Sequence, residues 1–234
     1  MSLYSQARRT ANSSRIIQLY LNKKRSREKK TAVEHFQSVG YEVHDKLYSV
    51  LKDTEFRWFA LSGTLLGIIR ENGFIPYDDD LDYGVMIEDN QTWHRFKDLL
   101  QENGIILRHY YTENELITEM AFTYNGVHID FFGMRDYGTH LLSSICYRRK
   151  NRNYEKNEAS TLHITFPPFI GIKEVECKGS VFPVPINGED FLVCNYGPNW
   201  KIPDRNVTLE TEIGTREYCD DLLSIIHRNK NRES

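Results

Sequence analysis

The sequence predicts an α+β fold in which a small mixed sheet is flanked by helices. Two patterns indicate it: apolar residues recur at three- and four-residue spacing early in the chain, and strand-like runs follow them. At 234 residues with 40% hydrophobic residues, the chain is long enough for one substantial domain. The start of the chain lacks a secretory pattern, and its four cysteines are widely spaced, so we expect a cytoplasmic protein.

The positive charge of the chain is concentrated at its start. The formal net charge is −3, which gives no reason to expect a nucleic-acid partner. Residues 1–30 nevertheless hold nine lysines and arginines against one acid, Glu28. We predict a basic N-terminal arm over residues 1–31. It is either a solvated helix or a segment that contacts a partner subunit or an anionic membrane, which would place the protein at the inner face of that membrane.

The remaining elements follow from hydrophobic periodicity and turn residues. Predicted helices cover 31–55, 64–72 and 91–104, with a last helix or helix pair within 209–229. Predicted strands cover 57–61, 80–87, 105–111, 117–124, 127–132 and 141–147. The turn YNGV at 124–127 predicts a hairpin between two of these strands. Residues 151–203, rich in proline and aromatic residues, are predicted to be irregular.

Four carboxylates stand within five residues of the chain: Asp78, Asp79, Asp80 and Asp82. Side chains two positions apart share one face of a strand, so Asp80 and Asp82 point the same way, and Asp78 can reach them from the preceding turn. Like charges this close repel unless solvent or a cation separates them. The cluster is therefore either a solvated turn or a site for a hard cation such as Mg²⁺.

Two further features belong to the same candidate site. Asp130 lies in VHIDFF, where its charge is costly unless hydrogen bonds or a metal shared with Asp80 and Asp82 compensate it. Upstream, SGT at 62–64 forms a strand-to-helix turn in which Gly63 lets the backbone approach an anionic ligand. A phosphate-binding turn followed by metal-binding carboxylates is the arrangement that phosphoryl transfer from a nucleotide requires.

The string SGTLLGIIRENGFIPYDDDLDYGV (Ser62–Val85) resembles the motif of the LicD family of phosphotransferases. This family is a branch of the nucleotidyltransferase superfamily, so the resemblance implies a polymerase-β-like fold. The later FPVP and FLVCNYGPNW segments resemble the end of the family pattern, and the resemblance covers about residues 33–205. The sequence departs from the motif at Tyr77, where tryptophan is usual, and at Ser62, where glycine is frequent.

The resemblance implies transfer of an alcohol phosphate, such as phosphocholine, from a CDP-linked donor to a hydroxyl of a cell-surface glycan, with release of CMP. The acceptor would be lipopolysaccharide, capsule or teichoic acid. The implied cofactor is Mg²⁺, as two ions, with Mn²⁺ as the alternative. Residues 32–205 would form the catalytic domain, and residues 206–234 a C-terminal helical segment.

The resemblance also assigns roles by position. The residues that would bind metal are Asp78, Asp80, Asp82 and Asp130. Asp130 would be either a metal ligand or the base that accepts the proton of the acceptor hydroxyl. The residues that would meet the donor phosphate are Ser62, Gly63 and Thr64. Arg70 would neutralise the charge that develops on the phosphate.

Other interpretations remain open at this point. The same fold could serve a nucleotidyltransferase that leaves a nucleotide on its target, or a non-catalytic module that binds a glycan or a partner enzyme. His128 shares strand parity with Asp130 and either lines the pocket or is structural. Tyr196 and Trp200 either pack a turn or stack on a nucleobase or choline.

Overall fold

The computed structural model describes residues 3–149, 152–204, 213 and 215–229, with side chains from residue 26 onward apart from that of Asp220. The helices are α1 (Leu3–Leu51), α2 (Ser62–Leu66, continued by one π-helical turn over Gly67–Glu71), α3 (Asn90–Glu102) and α4 (Gly188–Tyr196). The strands are β1 (Trp58–Ala60), β2 (Asp80–Val85), β3 (Ile106–Glu113), β4 (Leu116–Tyr124), β5 (Val127–Gly133), β6 (Arg135–Asp136), β7 (Leu141–Tyr147), β8 (Glu158–Phe166), β9 (Ile172–Cys177), β10 (Ser180–Pro185) and β11 (Arg216–Arg228).

The α+β class is confirmed, but the sheet is larger than predicted. Nine strands form one mixed sheet in the order β1-β2-β5-β4-β3-β11-β8-β7-β6, and β9 and β10 form a separate pair. Strands β2 and β5 run parallel, whereas their neighbours pair antiparallel. The predicted hairpin joins β4 to β5, where Asn125 and Gly126 take positive φ angles of 45° and 75°. The parallel β2–β5 pair positions the candidate site.

The core lies on one face of these central strands. Helix α1 contributes Phe36 and Leu47, and α3 contributes Phe96, whose ring meets that of Phe131 edge-on at 4.8 Å. Apolar residues alternate with carboxylates along β2, so Leu81 is fully buried while the neighbouring acids face the other side of the sheet. Packing of the apolar face therefore fixes the direction in which the carboxylates point.

The C-terminal segment is a strand, so the predicted helix is wrong. Residues 216–228 form β11, which pairs with β3 on one side and β8 on the other. The apolar residues Leu222, Leu223, Ile225 and Ile226 have helical spacing. An irregularity between Cys219 and Leu223 breaks the two-residue alternation that a regular strand would show. Pairing with two distant strands overrides the local pattern.

The prediction of an irregular segment over 151–203 is also wrong. It contains β8, the β9–β10 pair and α4. Most residues of β8 are buried on both faces, which removes the alternation that marks a half-exposed strand. Pro183 and Pro185 lie in β10, which belongs to a two-stranded sheet and so has a free edge that tolerates residues without an N–H.

The predicted basic arm and the helix after it form one continuous helix, α1. The predicted membrane contact falls mainly on residues 1–25, whose side chains lie outside the described part of the structure. Among the helices of the described residues, none combines the length and the apolar character that a membrane crossing requires.

Candidate functional site

The carboxylates singled out in the sequence converge where β2 and β5 run side by side. Asp82 lies directly opposite Asp130, and Asp80 lies opposite His128. Carboxylate oxygens of Asp80, Asp82 and Asp130 lie within 4.8 Å of one another. Asp80 forms a second group of the same kind with Asp78 and Asp79. The parallel register thus brings together acids that are 48 residues apart in the chain (130 minus 82).

Burial and mutual repulsion raise the pKa of these acids. Burial first, and then the charge of Asp80, raise the pKa of both Asp78 and Asp130 to about 7. Burial raises the pKa of Asp82 well above its usual range, with contributions from Asp80 and Asp130. Without a cation, the cluster therefore retains protons near neutral pH. A set of oxygen ligands that is stabilised by added positive charge fits a hard divalent cation such as Mg²⁺.

The 62–64 turn is fastened to the carboxylate strand. The N–H of Gly63 donates to Oδ2 of Asp82 over 3.3 Å, and the N–H of Asp82 donates to the Thr64 hydroxyl over 2.8 Å. Ser62 has a φ of 44°, and its hydroxyl accepts from the Asn195 amide over 3.3 Å. Thr64 is 2% exposed. It therefore holds β2 in place, and of the three predicted phosphate contacts Gly63 is the one that lines the adjacent cleft.

This cleft, which we call the donor-side cleft, has a volume of about 550 Å³. The residues that line it are Lys29, Gly63, Leu66, Arg70, Ile75, Tyr77, Asp78, Tyr196, Asn199, Trp200, Ile202 and Asp204. Arg70 is held in its wall, because Nη1 donates to the Trp200 carbonyl over 2.9 Å and Nε pairs with Glu71 over 2.7 Å. The cleft thus joins a fixed guanidinium, aromatic rings and Asp78, which is the arrangement that a nucleotide with phosphates requires.

The sequence had not indicated Lys29 as part of the cleft. It lies in the basic segment that precedes the recognised motif, and α1 carries it to the cleft. Its positive charge also lowers the pKa of Asp80, although burial and Asp79 raise that pKa more strongly. Residues 1–39 contain no glycine or proline. This composition could have predicted one long helix that continues across the predicted boundary at residue 31.

A second group of polar residues lies beyond Asp130, and of its members the sequence had indicated only His128. Nη1 of Arg108 donates to Nδ1 of His128 over 2.8 Å. Arg108 belongs to β3 and His128 to β5, so the guanidinium reaches across β4. Glu119 of β4 is buried, and burial and the nearby Asp130 raise its pKa well above its usual range. The polar surface around the carboxylates therefore extends from β5 to β4 and β3.

Comparison with known proteins supports the same region as the functional part of the chain. Residues 55–177 match the family described as LicD/FKTN/FKRP, nucleotidyltransferase domain. This range includes the carboxylates, the 62–64 turn and Arg70.

Curated relatives match over a similar range. The mouse ribitol-5-phosphate transferase FKTN is 31% identical over 157 residues, which cover 65% of this chain and 31% of the relative. The human protein of the same name is 27% identical over 150 residues, or 62% of this chain and 29% of the relative. An uncharacterised protein of Rickettsia typhi is 37% identical over 70 residues, or 27% of this chain and 23% of the relative. The chain thus spans less than a third of the length of these relatives.

Proposed function

The chain belongs to the LicD/FKTN/FKRP family, and from this premise we propose that it is a phosphotransferase. It moves an alcohol phosphate from a CDP-linked donor to a hydroxyl of a glycan and releases CMP. The observation that carries the proposal is the convergence of Asp80, Asp82 and Asp130 beside the Gly63 turn. The name of the mouse relative, a ribitol-5-phosphate transferase, supports a polyol phosphate as the transferred group.

In this proposal the donor occupies the donor-side cleft. The Gly63 turn and Arg70 meet the two phosphates of the donor, and Arg70 needs little reorganisation because its guanidinium is already fixed by Glu71 and Trp200. Tyr196 and Trp200 supply aromatic surface for the base or for the alcohol. Cytidine as the base is part of the proposal, supported by family membership.

The carboxylates then complete the site at the end of the cleft. Asp80, Asp82 and Asp130 would hold two Mg²⁺ ions, with Asp78 in support. When bound, such ions neutralise charge on the transferring phosphate and on the two oxygens exchanged at it. Asp130 stands opposite Asp82, and it is not among the residues that line the cleft, whereas Asp78 is. Its carboxylate is therefore the candidate base for the acceptor hydroxyl, in addition to its candidate role as a ligand.

The proposal is tested by following nucleotide release. Purified protein is incubated with Mg²⁺ and a panel that contains CDP-choline, CDP-glycerol and CDP-ribitol, and CMP is quantified. Water attack on the donor yields CMP even without the natural acceptor, so the assay can start before that acceptor is known. The test variant is Asp80→Asn with Asp82→Asn, which keeps the side-chain shape and removes the charge. Asp98→Asn, an exposed acid paired with Lys97 on α3, is the matched control.

We expect Mg²⁺-dependent release of CMP from one of these donors by the wild type and the control, and a loss of about a hundredfold or more in the double variant. The donor that reacts fastest identifies the alcohol. Consumption of free nucleoside triphosphates with transfer of the nucleotide, and no reaction of CDP-alcohols, would instead identify a nucleotidyltransferase. Equal behaviour of the wild type and the double variant in both assays would contradict a catalytic role for the carboxylates.

A further inference from the structure

One row of cross-strand partners connects the carboxylates to a basic surface. Asp82 lies opposite Asp130, Asp130 opposite Ala121, Ala121 opposite His109, and His109 opposite Arg228. Directly opposed residues share a face of the sheet, so all five side chains belong to the carboxylate face. Strands lie about 4.8 Å apart, so the Arg228 backbone is about 14 Å from that of Asp130. An extended arginine can cover much of that separation.

A bulge in β3 brings a second arginine to this face. The pairing of β3 with β4 shifts between Leu107 and His109, which leaves Arg108 as the extra residue. In a regular strand Arg108 and His109 would point to opposite faces, but a bulge re-aims a side chain. The hydrogen bond from Arg108 to His128 shows the result, because His128 is on the carboxylate face opposite Asp80. The guanidinium thus crosses β4 on the carboxylate face of the sheet.

These basic groups lie close enough to influence one another. Burial first, and then the positive charges of Arg108, Arg228 and His128, lower the pKa of His109 to about 4. Arg108 also lowers the pKa of Asp130. Arg228 is exposed. Within the described part of the chain, neither arginine has a carboxylate oxygen within 4.0 Å. Among the described residues, Arg108 and Arg228 therefore give this surface a positive charge that can attract an anion.

The position of this surface relative to the cleft indicates which substrate it serves. Neither Arg108 nor Arg228 lines the donor-side cleft. The cleft reaches the carboxylates from Asp78 and Gly63, whereas the basic surface reaches them from Asp130. In an in-line displacement, the attacking oxygen and the leaving oxygen stand on opposite sides of the phosphorus. The basic surface is therefore on the acceptor side.

This inference rests on the proposed phosphotransferase function. We propose that Arg108 and Arg228 bind a phosphate ester that the acceptor carries near its attacking hydroxyl, so that the natural acceptor is anionic. Arginine guanidinium groups bind phosphate through two parallel hydrogen bonds, which orient the ligand as well as hold it. The two arginines would thereby favour a phosphorylated acceptor over a neutral glycan that carries the same hydroxyl.

A binding experiment tests the site without turnover. Amide resonances of ¹⁵N-labelled protein are followed by NMR while glycerol 3-phosphate is added, and the titration is repeated with glycerol. We expect saturable shifts around Arg108, His109 and Arg228 with glycerol 3-phosphate alone. Arg108→Gln and Arg228→Gln should each weaken binding about tenfold or more. Arg95→Gln, which removes an exposed arginine paired with Glu55, is the control and should bind normally.

Shifts confined to the donor-side cleft, equal shifts with glycerol, or unchanged binding in both variants would overturn the inference. Because the titration needs no turnover, an inactive wild type would contradict the proposed function while the NMR result still decides whether the anion site exists.

A kinetic experiment then assigns the site to the acceptor. With the donor that releases CMP fastest, the wild type should use glycerol 3-phosphate at least about tenfold more efficiently than glycerol, judged by kcat/KM. Arg108→Gln and Arg228→Gln should remove this preference, with Arg108→Lys restoring part of it, and Arg95→Gln should keep it. Equal losses with both acceptors would show that the arginines do not recognise the acceptor phosphate, and would contradict the inference.

Discussion

The backbone N–H of Asp82 donates a 2.8 Å hydrogen bond to the side-chain hydroxyl of Thr64. Thr64 is buried in the first turn of α2, the helix that follows β1, and Asp82 lies in the middle of β2. The Asp82 carbonyl in turn accepts from the N–H of Leu61 over 3.0 Å. The strand that presents the carboxylates and the 62–64 turn beside the donor-side cleft thus form one hydrogen-bonded unit.

Replacing Thr64 by valine should weaken this unit without changing its shape. The buried N–H of Asp82 would lose its acceptor, which costs about 1–2 kcal/mol in the free energy of unfolding. Urea denaturation measures this loss. Thr64→Ser, which retains the hydroxyl, is the control and should lose less. CMP release should fall in the valine variant, because the carboxylates would no longer be held in register with the turn. A valine variant as stable and active as the wild type would contradict the assignment.

A side chain at Gly63 should force the Asp78 carboxylate to move. A Cβ at this position would lie 2.5 Å from Oδ2 of Asp78, which is shorter than any normal contact. Gly63→Ala should therefore displace the Asp78 carboxylate and reduce Mg²⁺ binding and CMP release.

A double-variant cycle separates this clash from other effects of the alanine. The loss of stability caused by Gly63→Ala should be smaller in an Asp78→Ala background, where the contact is absent. Thermal melting of the four proteins gives the coupling energy. Equal losses in both backgrounds would show that the contact with Asp78 is not the cause.

Binding of Mg²⁺ should depend on pH near neutrality. The pKa of Asp78 and of Asp130 is raised to about 7, first by burial and then by the charge of Asp80. A cation binds the deprotonated acids, so protons compete with it below that value. Apparent affinity should rise between about pH 6 and pH 8, with release of protons. Calorimetry in buffers of different ionisation enthalpy measures both quantities, and binding without proton release would contradict the raised pKa values.

The elements that position the carboxylates could be predicted because local pattern and tertiary structure agree there. The alternation through Asp80 and Asp82, and the apolar neighbours of Asp130, are readable from the sequence. The sequence did not predict that Arg108 and Arg228 lie beside the carboxylates. Arg108 depends on a bulge, and Arg228 reaches the site because β11 pairs with β3 across more than a hundred residues. Irregular pairing and long-range register leave no periodic signal.

His44 should make the protein less stable as the pH falls through the weakly acidic range. Nδ1 of His44 accepts from the Tyr83 hydroxyl over 2.7 Å, and Nε2 donates to the Val181 carbonyl over 2.8 Å. Burial lowers the pKa of His44 from 6.5 to about 4. The unfolded chain therefore binds more protons between these values, and stability is full above 6.5 and declines toward 4.

The decline attributable to His44 should be about 2–3 kcal/mol over this range. His44→Gln should flatten it, whereas His94→Gln, an exposed histidine on α3, should not. Denaturant unfolding at a series of pH values measures the slope. An unchanged slope in His44→Gln would show that other groups cause the decline.

Glu113 should affect stability at lower pH than His44, because its pKa is lowered, as is typical of an acid that is paired with a base. Its Oε1 accepts from Nε2 of His163 over 3.0 Å, and its Oε2 pairs with Nη2 of Arg135 over 3.2 Å. Burial alone would raise its pKa, but hydrogen bonds from His163 and Ser144 and the charge of Arg135 outweigh burial and lower the pKa from 4.5 to about 2.

Since the native state holds the proton more weakly, the contribution of Glu113 is complete above about 4.5 and is lost as the pH falls toward 2. Glu113→Gln should lower the free energy of unfolding by about 2–3 kcal/mol near neutral pH and flatten the unfolding profile below about pH 4.5. The two variants should thus change the slope of the same stability curve in adjacent pH ranges, that of His44 above that of Glu113. A Glu113→Gln variant whose slope changes only in the range assigned to His44, and not below about pH 4.5, would contradict this account of the Glu113 network.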